Sequence, residues 1–137
     1  MSRNKRQKEG VTFGMTRDII LSELEQVLSR VEEDAVCEFI NLILKSKKVF
    51  VMGVGRVMLM SQAFAKRLGH LRINSFVVGE TTTPSIGKGD LLIVASGSGE
   101  TLTCANVARL AKKHGAEIAL VTARKDSTIK RLSRFAI

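Results

Sequence analysis

The chain has 137 residues, 45% of them apolar, and a formal net charge of +9. This length suffices for one domain with a buried core but not for two full domains, and no segment has the character of a membrane span or a secretory signal. The basic residues are spread along the chain, and tyrosine and tryptophan are absent. A nucleic-acid surface with stacking aromatic rings is therefore disfavoured, whereas an anionic small ligand suits a basic chain.

Two helices are predicted in the first third of the chain. Residues 1–15 are polar and basic, and we expect a disordered leader there. Thr16 has the character of an N-cap, and a second helix is predicted to follow Glu32 or Glu33. Their apolar sides comprise Ile19, Ile20, Leu24, Val27 and Leu28 in the first helix and Val36, Phe39, Ile40, Ile43 and Leu44 in the second. Helices this apolar on one side need a partner surface, either a sheet or another subunit.

From residue 49 onward, short apolar runs alternate with predicted helices. Strands are predicted at 49–52, 74–78, 91–95 and 117–121, and residues 135–137 resemble the start of a fifth strand. The intervening helices are predicted at 57–69, 101–114 and 127–132. Because the runs are apolar at successive positions, we expect the strands to be buried on both faces. The predicted fold class is therefore α/β, with three layers in which a parallel sheet is flanked by helices.

A loop rich in serine and glycine, Ser96–Thr101, follows the third predicted strand and is called the serine–glycine loop below. Open parallel sheets bind ligands beyond the carboxyl ends of their strands, where such loops lead into helices. Glycines 97 and 99 allow the backbone to approach a ligand closely, and the next helix presents free N–H groups. These groups, with the loop hydroxyls, suit a phosphate monoester. A flexible turn with capping hydroxyls is the alternative, and without a Gly-Lys-Ser/Thr sequence a nucleotide P-loop is disfavoured.

Two further loops at predicted strand ends are candidates for ligand contact. The arginine loop, Gly53–Arg56, lacks the third glycine of a dinucleotide-binding fingerprint because Met58 stands there, so a dinucleotide site is disfavoured. Arg56 either holds a phosphate or sugar oxygen or is a solvated arginine at a helix start. The threonine loop, Gly79–Pro84, either bonds sugar hydroxyls or caps a turn.

The cysteines and histidines do not indicate a metal site. Cys37 and Cys104 are far apart, and we expect both to be small core residues in a reduced cytoplasm. His70 and His114 stand near predicted helix ends, where a structural role is expected. Neither histidine has a carboxylate or cysteine partner at ligand spacing, so the sequence predicts no metal.

Taken together, these segments resemble the 6-phospho-3-hexuloisomerases, a family within the wider sugar-isomerase (SIS) domain group. The similarity extends from about residue 17 to residue 137, and its most specific segments are Gly53–Arg56, Phe64–Leu71, Val78–Pro84 and Ser96–Thr101. The resemblance implies an SIS-type, flavodoxin-like parallel sheet of five strands, assembled as a homotetramer in the cytoplasm. It also implies enediol interconversion of 3-hexulose 6-phosphate and fructose 6-phosphate, in formaldehyde fixation or pentose supply, without metal or organic cofactor.

The same resemblance implies a set of substrate contacts. In that family the segment corresponding to Gly97–Leu102 contacts substrate, as does a serine after the Gly-Arg pair, whose position is held here by Val57. Valine cannot donate that hydrogen bond, which would weaken affinity by about 1–3 kcal/mol unless another group replaces it. The predicted substrate-binding residues are Gly55, Arg56, Val57, Ser96, Gly97, Ser98, Gly99, Glu100, Thr101 and Leu102, with Glu80, Thr81 and Thr82 as further sugar contacts.

The sequence also departs from the family pattern. Arg72 stands where a helix-ending glycine is usual, which weakens a left-handed C-cap. The family's general-base glutamate follows the fifth strand, and Glu100, at the phosphate end of the site, is a poor candidate for that base, so the catalytic residue is unassigned. We expect a leader at 1–15 and an SIS domain at 16–137 that is incomplete at its C-terminus.

Two other functions stay open. One is a non-catalytic sugar-phosphate sensor, as in regulators that carry this domain behind a DNA-binding segment. The two predicted N-terminal helices and the basic leader are too short to form such a DNA-binding segment, so this function ranks second. The other is an interaction protein that uses an exposed sheet edge.

Overall fold

The computed structural model of the protein describes residues 10–137, which form two compact units divided between Glu33 and Asp34. Residues 1–9, most of the predicted leader, lie outside the described part of the chain. Within residues 10–137, no helix combines the length and apolar character needed to cross a membrane.

The first unit contains helix α1 (Phe13–Leu28), which starts earlier than predicted. Its N-cap is Thr12, whose hydroxyl accepts a hydrogen bond from the Met15 N–H at 3.2 Å. The prediction of Thr16 as N-cap is wrong, because Thr16 lies inside the helix and its hydroxyl donates to the Thr12 carbonyl at 3.1 Å. None of the sixteen residues of α1 is buried.

Helix α2 (Glu33–Lys45) begins at the boundary and opens the second unit. Leu42 and Ile43 are buried, and the ring of Phe39 stacks on that of Phe135, with centroids 5.7 Å apart. Ile40 and Leu44, predicted on the apolar side, are exposed at 48% and 66%. The prediction of a helix here is confirmed, but the apolar positions extend around more of its circumference than the core covers.

The second unit is built on a sheet of five strands in the order β2-β1-β3-β4-β5, and every neighbouring pair is parallel. The strands are β1 (Val49–Met52), β2 (Ser75–Val77), β3 (Leu91–Ala95), β4 (Glu117–Val121) and β5 (Phe135–Ala136). Residues of β1, β3 and β4 are nearly all buried, as the continuous apolar runs predicted. The α/β fold class with a parallel sheet is confirmed.

Helices cover both faces of this sheet, and each face carries its own core. Helices α4 (Leu102–Lys113) and α5 (Thr128–Leu132) pack on the face that carries Phe50, Leu92 and Leu120. Helices α2 and α3 (Arg56–His70) pack on the opposite face, which carries Val51 and Ile93. Successive strand residues point to opposite faces, so one apolar run supplies both cores. The predicted three layers are confirmed.

The structure tests two predictions about single residues: the burial of the two cysteines, and the unusual residue Arg72 at a helix end. Cys104 is buried, and this burial raises the pKa of its thiol, but Cys37 is exposed, so its prediction as a core residue is wrong. Cys37 lies on α2 away from the side that packs on the sheet. Arg72 follows the end of α3 with φ of +62°, the left-handed conformation that glycine favours.

Candidate functional site

The candidate site lies at the carboxyl ends of β1 and β3, where the strand order reverses direction. These two strands are neighbours, with Met52 paired to Val94, so the arginine loop and the serine–glycine loop leave the sheet side by side. The helices that follow them, α3 and α4, pack on opposite faces of the sheet. Loops that diverge in this way leave a crevice between them, which is the usual ligand position in open parallel sheets.

The serine–glycine loop is held in shape by its own hydroxyl groups. The buried Ser96 hydroxyl accepts the Gly99 N–H at 3.1 Å and lies 3.1 Å from the Thr101 hydroxyl. Gly99 has φ of +63°, and a Cβ added there would overlap the side chain of Ser127. Gly97, by contrast, has open space where a Cβ would be. The loop therefore combines one glycine fixed by packing with one that leaves room for a ligand.

Several donors at the start of α4 remain available. Within residues 10–137 the backbone N–H groups of Ser98, Thr101 and Leu102 donate to no protein acceptor. Thr101 is the N-cap but makes no capping bond with its side chain, since its hydroxyl lies against Ser96. Free N–H groups and the positive end of a helix dipole together form a surface suited to an anion.

Glu100, the carboxylate of this loop, is already engaged. Its Oε1 atom accepts the Thr128 N–H at 2.7 Å, and the Gly99 carbonyl accepts the Ile129 N–H at 3.1 Å. The bond to Thr128, together with the Arg131 and Arg124 charges, lowers the pKa of Glu100. A carboxylate with a lowered pKa is a weak proton acceptor. Glu100 therefore ties the loop to α5 and is poorly suited to be a general base.

The arginine loop is tight at one end and open at the other. A Cβ at Gly53 would lie 3.0 Å from the Met58 backbone nitrogen and the Ser61 hydroxyl, so helix α3 starts directly against this glycine. Gly55, the N-cap of α3, has φ of +61° and no neighbour within 4 Å of an added Cβ. Arg56 is exposed and pairs with no carboxylate in the described chain, and Val57 is half-buried.

The threonine loop follows β2, on the other side of β1 from the serine–glycine loop. Glu80, Thr81 and Thr82 are exposed, whereas the Thr83 hydroxyl donates to the Val77 carbonyl at 2.6 Å and closes the turn. Glu80 lines a cavity of about 440 Å³ along α3, together with Lys66 and His70. The structure thus places this loop at the same edge of the sheet, and within residues 10–137 none of its three predicted sugar contacts forms a hydrogen bond with the serine–glycine loop.

Three residues that support the serine–glycine loop were not predicted from the sequence. The Thr122 hydroxyl donates to the Gly97 carbonyl at 3.3 Å, Ser127 packs against Gly99, and Thr128 holds Glu100. All three come from the segment after β4, which lies beside the loop because β3 and β4 are paired. The one local signal was Ser127, which caps α5 by accepting the Lys130 N–H at 3.2 Å.

Comparison with known proteins identifies the family. The SIS domain family matches residues 42–137, which include all five strands and the three loops. This chain belongs to the SIS domain family. Within residues 10–137 no group of three or more histidine, cysteine or acidic side chains could hold a metal ion.

Individual relatives place the chain within that family. It is 37% identical over 110 residues to the 3-hexulose-6-phosphate isomerase of Bacillus subtilis, an alignment that covers 80% of this chain and 60% of that protein. It matches, at 36% identity and a TM-score of 0.76, a crystal structure from Methanococcus jannaschii for which a 3-hexulose-6-phosphate isomerase function was inferred. That match covers 89% of this chain and 68% of the other. The similarity to the 6-phospho-3-hexuloisomerases is therefore shown.

A more distant structural neighbour shares the fold alone. The Vibrio vulnificus NanR protein complexed with ManNAc-6P matches with a TM-score of 0.79 at 18% identity, over 93% of this chain and 50% of that one.

Proposed function

We propose that the chain binds a sugar phosphate at the serine–glycine loop and acts as a sugar-phosphate isomerase of the 3-hexulose-6-phosphate type. The proposed reaction interconverts 3-hexulose 6-phosphate and fructose 6-phosphate. The observation that carries the proposal is the loop itself: its shape is fixed by Ser96 and Gly99, while the N–H groups of Ser98, Thr101 and Leu102 stay free. The isomerase named in Bacillus subtilis, at 37% identity, supports the choice of substrate.

In the proposed complex the phosphate lies at the N-terminus of α4, on the free N–H groups of the serine–glycine loop. Gly97 leaves the open space that a phosphate oxygen needs. Arg56, across the crevice and without a carboxylate partner in the described chain, supplies a cation to the phosphate or a sugar oxygen. The exposed hydroxyls of Thr81 and Thr82 are the proposed contacts for the far end of the sugar.

Enediol isomerisation also needs a base that moves a proton between neighbouring carbons. Glu100 is unsuited to that step because its carboxylate is bound to the Thr128 N–H and its pKa is lowered. By the resemblance to 6-phospho-3-hexuloisomerases, the base is a glutamate that follows the fifth strand. We therefore propose that residues 96–102 hold and orient the substrate. Proton transfer is assigned to no residue of this loop.

Calorimetric titration with fructose 6-phosphate, followed by an isomerisation assay on the same protein, tests this function. We expect saturable binding, weakened about tenfold by Arg56→Gln because a charge-assisted hydrogen bond is lost. Arg109→Gln is the matched control, since Arg109 lies on the exposed surface of α4 and bonds Asn106. No binding to the folded protein at millimolar ligand would contradict the proposal. Binding without turnover would instead favour the non-catalytic sensor.

Three broader features belong to the same proposal. By resemblance to its family, the chain is expected to form a homotetramer, to act in the cytoplasm and to serve formaldehyde fixation or pentose supply. The exposed apolar residues of α1 support association between copies, because a helix with no buried residue leaves apolar surface in contact with water.

A further inference from the structure

Glu100 belongs to the serine–glycine loop, yet its side chain is bound to α5. The Glu100 Oε1 atom accepts the Thr128 N–H at 2.7 Å. The residue before it makes a similar connection, because the Gly99 carbonyl accepts the Ile129 N–H at 3.1 Å. Two successive residues of the loop are thus bound to the first two residues of α5. This pair of hydrogen bonds is called the α5 bridge below.

The Glu100 carboxylate is held in its ionised form, which is the better hydrogen-bond acceptor. The bond to Thr128 lowers the pKa of Glu100, and the charges of Arg131 and Arg124 act in the same direction. Within residues 10–137, Glu100 nevertheless forms no ion pair with a lysine or arginine side chain. The contact that fixes this carboxylate is therefore the one with Thr128, at the start of α5.

The backbone of Glu100 sets the direction of a donor in the proposed phosphate site. The peptide unit between Glu100 and Thr101 is planar, so the Thr101 N–H turns together with the Glu100 backbone. The Thr101 N–H donates to no acceptor within residues 10–137 and is one of the proposed phosphate donors. The Glu100 N–H is itself held, since it donates to the Ser98 hydroxyl at 3.2 Å. A fixed Glu100 therefore keeps this donor oriented before a ligand arrives, which favours binding.

We propose that Glu100 is a positioning residue, which acts on the phosphate site through the α5 bridge and does not itself contact the ligand. This inference rests on the proposed function, because it takes the phosphate to lie on the free N–H groups at the start of α4. A carboxylate in contact with a phosphate would repel it, whereas the Glu100 carboxylate is bound to a backbone N–H. Helix α5 thereby becomes part of the binding machinery. The coupling is reciprocal, so a ligand that stabilises the loop also stabilises the α5 bridge.

Calorimetric titrations with fructose 6-phosphate and with inorganic phosphate test the Glu100 end of the α5 bridge. Glu100→Ala should weaken the binding of both anions about tenfold, because the acceptor for the Thr128 N–H is lost. Glu100→Gln should stay within about threefold of the wild type, since the amide oxygen can accept the same N–H. A neutral amide could not replace Glu100 if the ligand required the charge itself.

Thr128→Pro removes the donor at the other end of the α5 bridge. Thr128 is the first residue of α5, a position that accepts proline, and Ser127 before it is extended. We expect binding about tenfold weaker than in the wild type, with no further loss when Glu100→Ala is added. Asp126→Asn is the matched control, because it removes an exposed negative charge nearby that bonds Arg131, and it should change affinity less than about twofold.

Hydrogen exchange in the wild type gives a measurement that depends on no variant. Saturating fructose 6-phosphate should slow the exchange of the Thr128 and Ile129 N–H groups at least about threefold, because ligand binding stabilises the α5 bridge. The Gly115 N–H, which donates to the Lys112 carbonyl at the other end of α4, is the internal control and should be unchanged. Equal slowing at all three N–H groups would overturn the specific coupling to α5.

The outcomes separate this inference from the proposed function. Wild-type binding that neither Glu100→Ala nor Thr128→Pro weakens would overturn the positioning role and leave the proposed function standing. Equal losses in Glu100→Gln and Glu100→Ala would also overturn it, since the ligand would then depend on the charge of Glu100. Binding of inorganic phosphate that depends on both Glu100 and Thr128, without binding of fructose 6-phosphate, would support the positioning role and contradict the proposed function.

Discussion

At the scale of single residues, Gly99 is the residue on which the shape of the serine–glycine loop depends. Its φ of +63° costs an L-residue about 1–2 kcal/mol, and an added Cβ would also meet the Ser127 side chain. We therefore expect Gly99→Ala to lower the free energy of unfolding by about 2–4 kcal/mol and to abolish sugar-phosphate binding. Urea unfolding and calorimetric titration measure the two effects.

Gly97 provides the matched control for that prediction, because it stands two residues away with open space around it. Gly97→Ala should leave the free energy of unfolding within about 1 kcal/mol of the wild type while weakening ligand binding. Gly99→Ala should cost less stability in a Ser127→Ala background than in the wild type, since Ser127→Ala removes the Ser127 Oγ atom from the overlap. Equal stability losses at positions 97 and 99 would contradict this account of the loop.

At the scale of elements, the end of α3 carries a strain that a single substitution should relieve. The Arg72 N–H donates to the Gly69 carbonyl at 3.0 Å and the Ile73 N–H to the Leu68 carbonyl at 3.1 Å, the bonds of a Schellman C-cap. Arg72 occupies the left-handed position of this motif. We expect Arg72→Gly to raise the free energy of unfolding by about 1 kcal/mol, measured by urea denaturation.

The end of α4 has the same Schellman motif, with glycine at the left-handed position. Substitution of that glycine is therefore a control that should change stability in the opposite direction. Gly115 has φ of +82°, and Ala116 donates to the Ala111 carbonyl at 3.1 Å. Gly115→Arg should therefore destabilise the chain by about the amount that Arg72→Gly stabilises it. A stabilising effect of Gly115→Arg would show that the left-handed conformation is not what limits stability at these helix ends.

The elements that the sequence predicted best are those whose signal is local. The strands at 49–52, 91–95 and 117–121 match to the residue, because burial on both faces requires consecutive apolar side chains at nearly all of their positions. The start of α1 was misplaced because Thr12 and Thr16 are both capping residues and the local sequence does not decide between them. The supports of the serine–glycine loop escaped prediction for a different reason: Thr122 and Ser127 reach it only through the pairing of β3 with β4.

At the scale of the whole molecule, the exposed apolar residues of α1 lead to a prediction about association between copies of the chain. A sixteen-residue helix without buried residues is marginal in water, and α1 exposes Ile20, Leu24 and Val27 at 51%, 53% and 62%. Burying such side chains between copies stabilises each by about 1.5–3 kcal/mol. We therefore expect an oligomer by light scattering after size exclusion, and a shift toward the 15.0 kDa monomer for the double variant Ile20→Glu with Leu24→Glu.

The polar side of the same helix supplies the control that makes this prediction decisive. The Gln26 side chain donates to the Ser22 hydroxyl at 3.2 Å, and both residues are exposed. Ser22→Glu with Gln26→Glu adds the same two charges to α1 at these polar positions and should leave the oligomer intact. If both double variants dissociate it equally, added charge and not the apolar residues is responsible. If neither changes the mass, association runs through another surface, and the apolar residues of α1 have a different role.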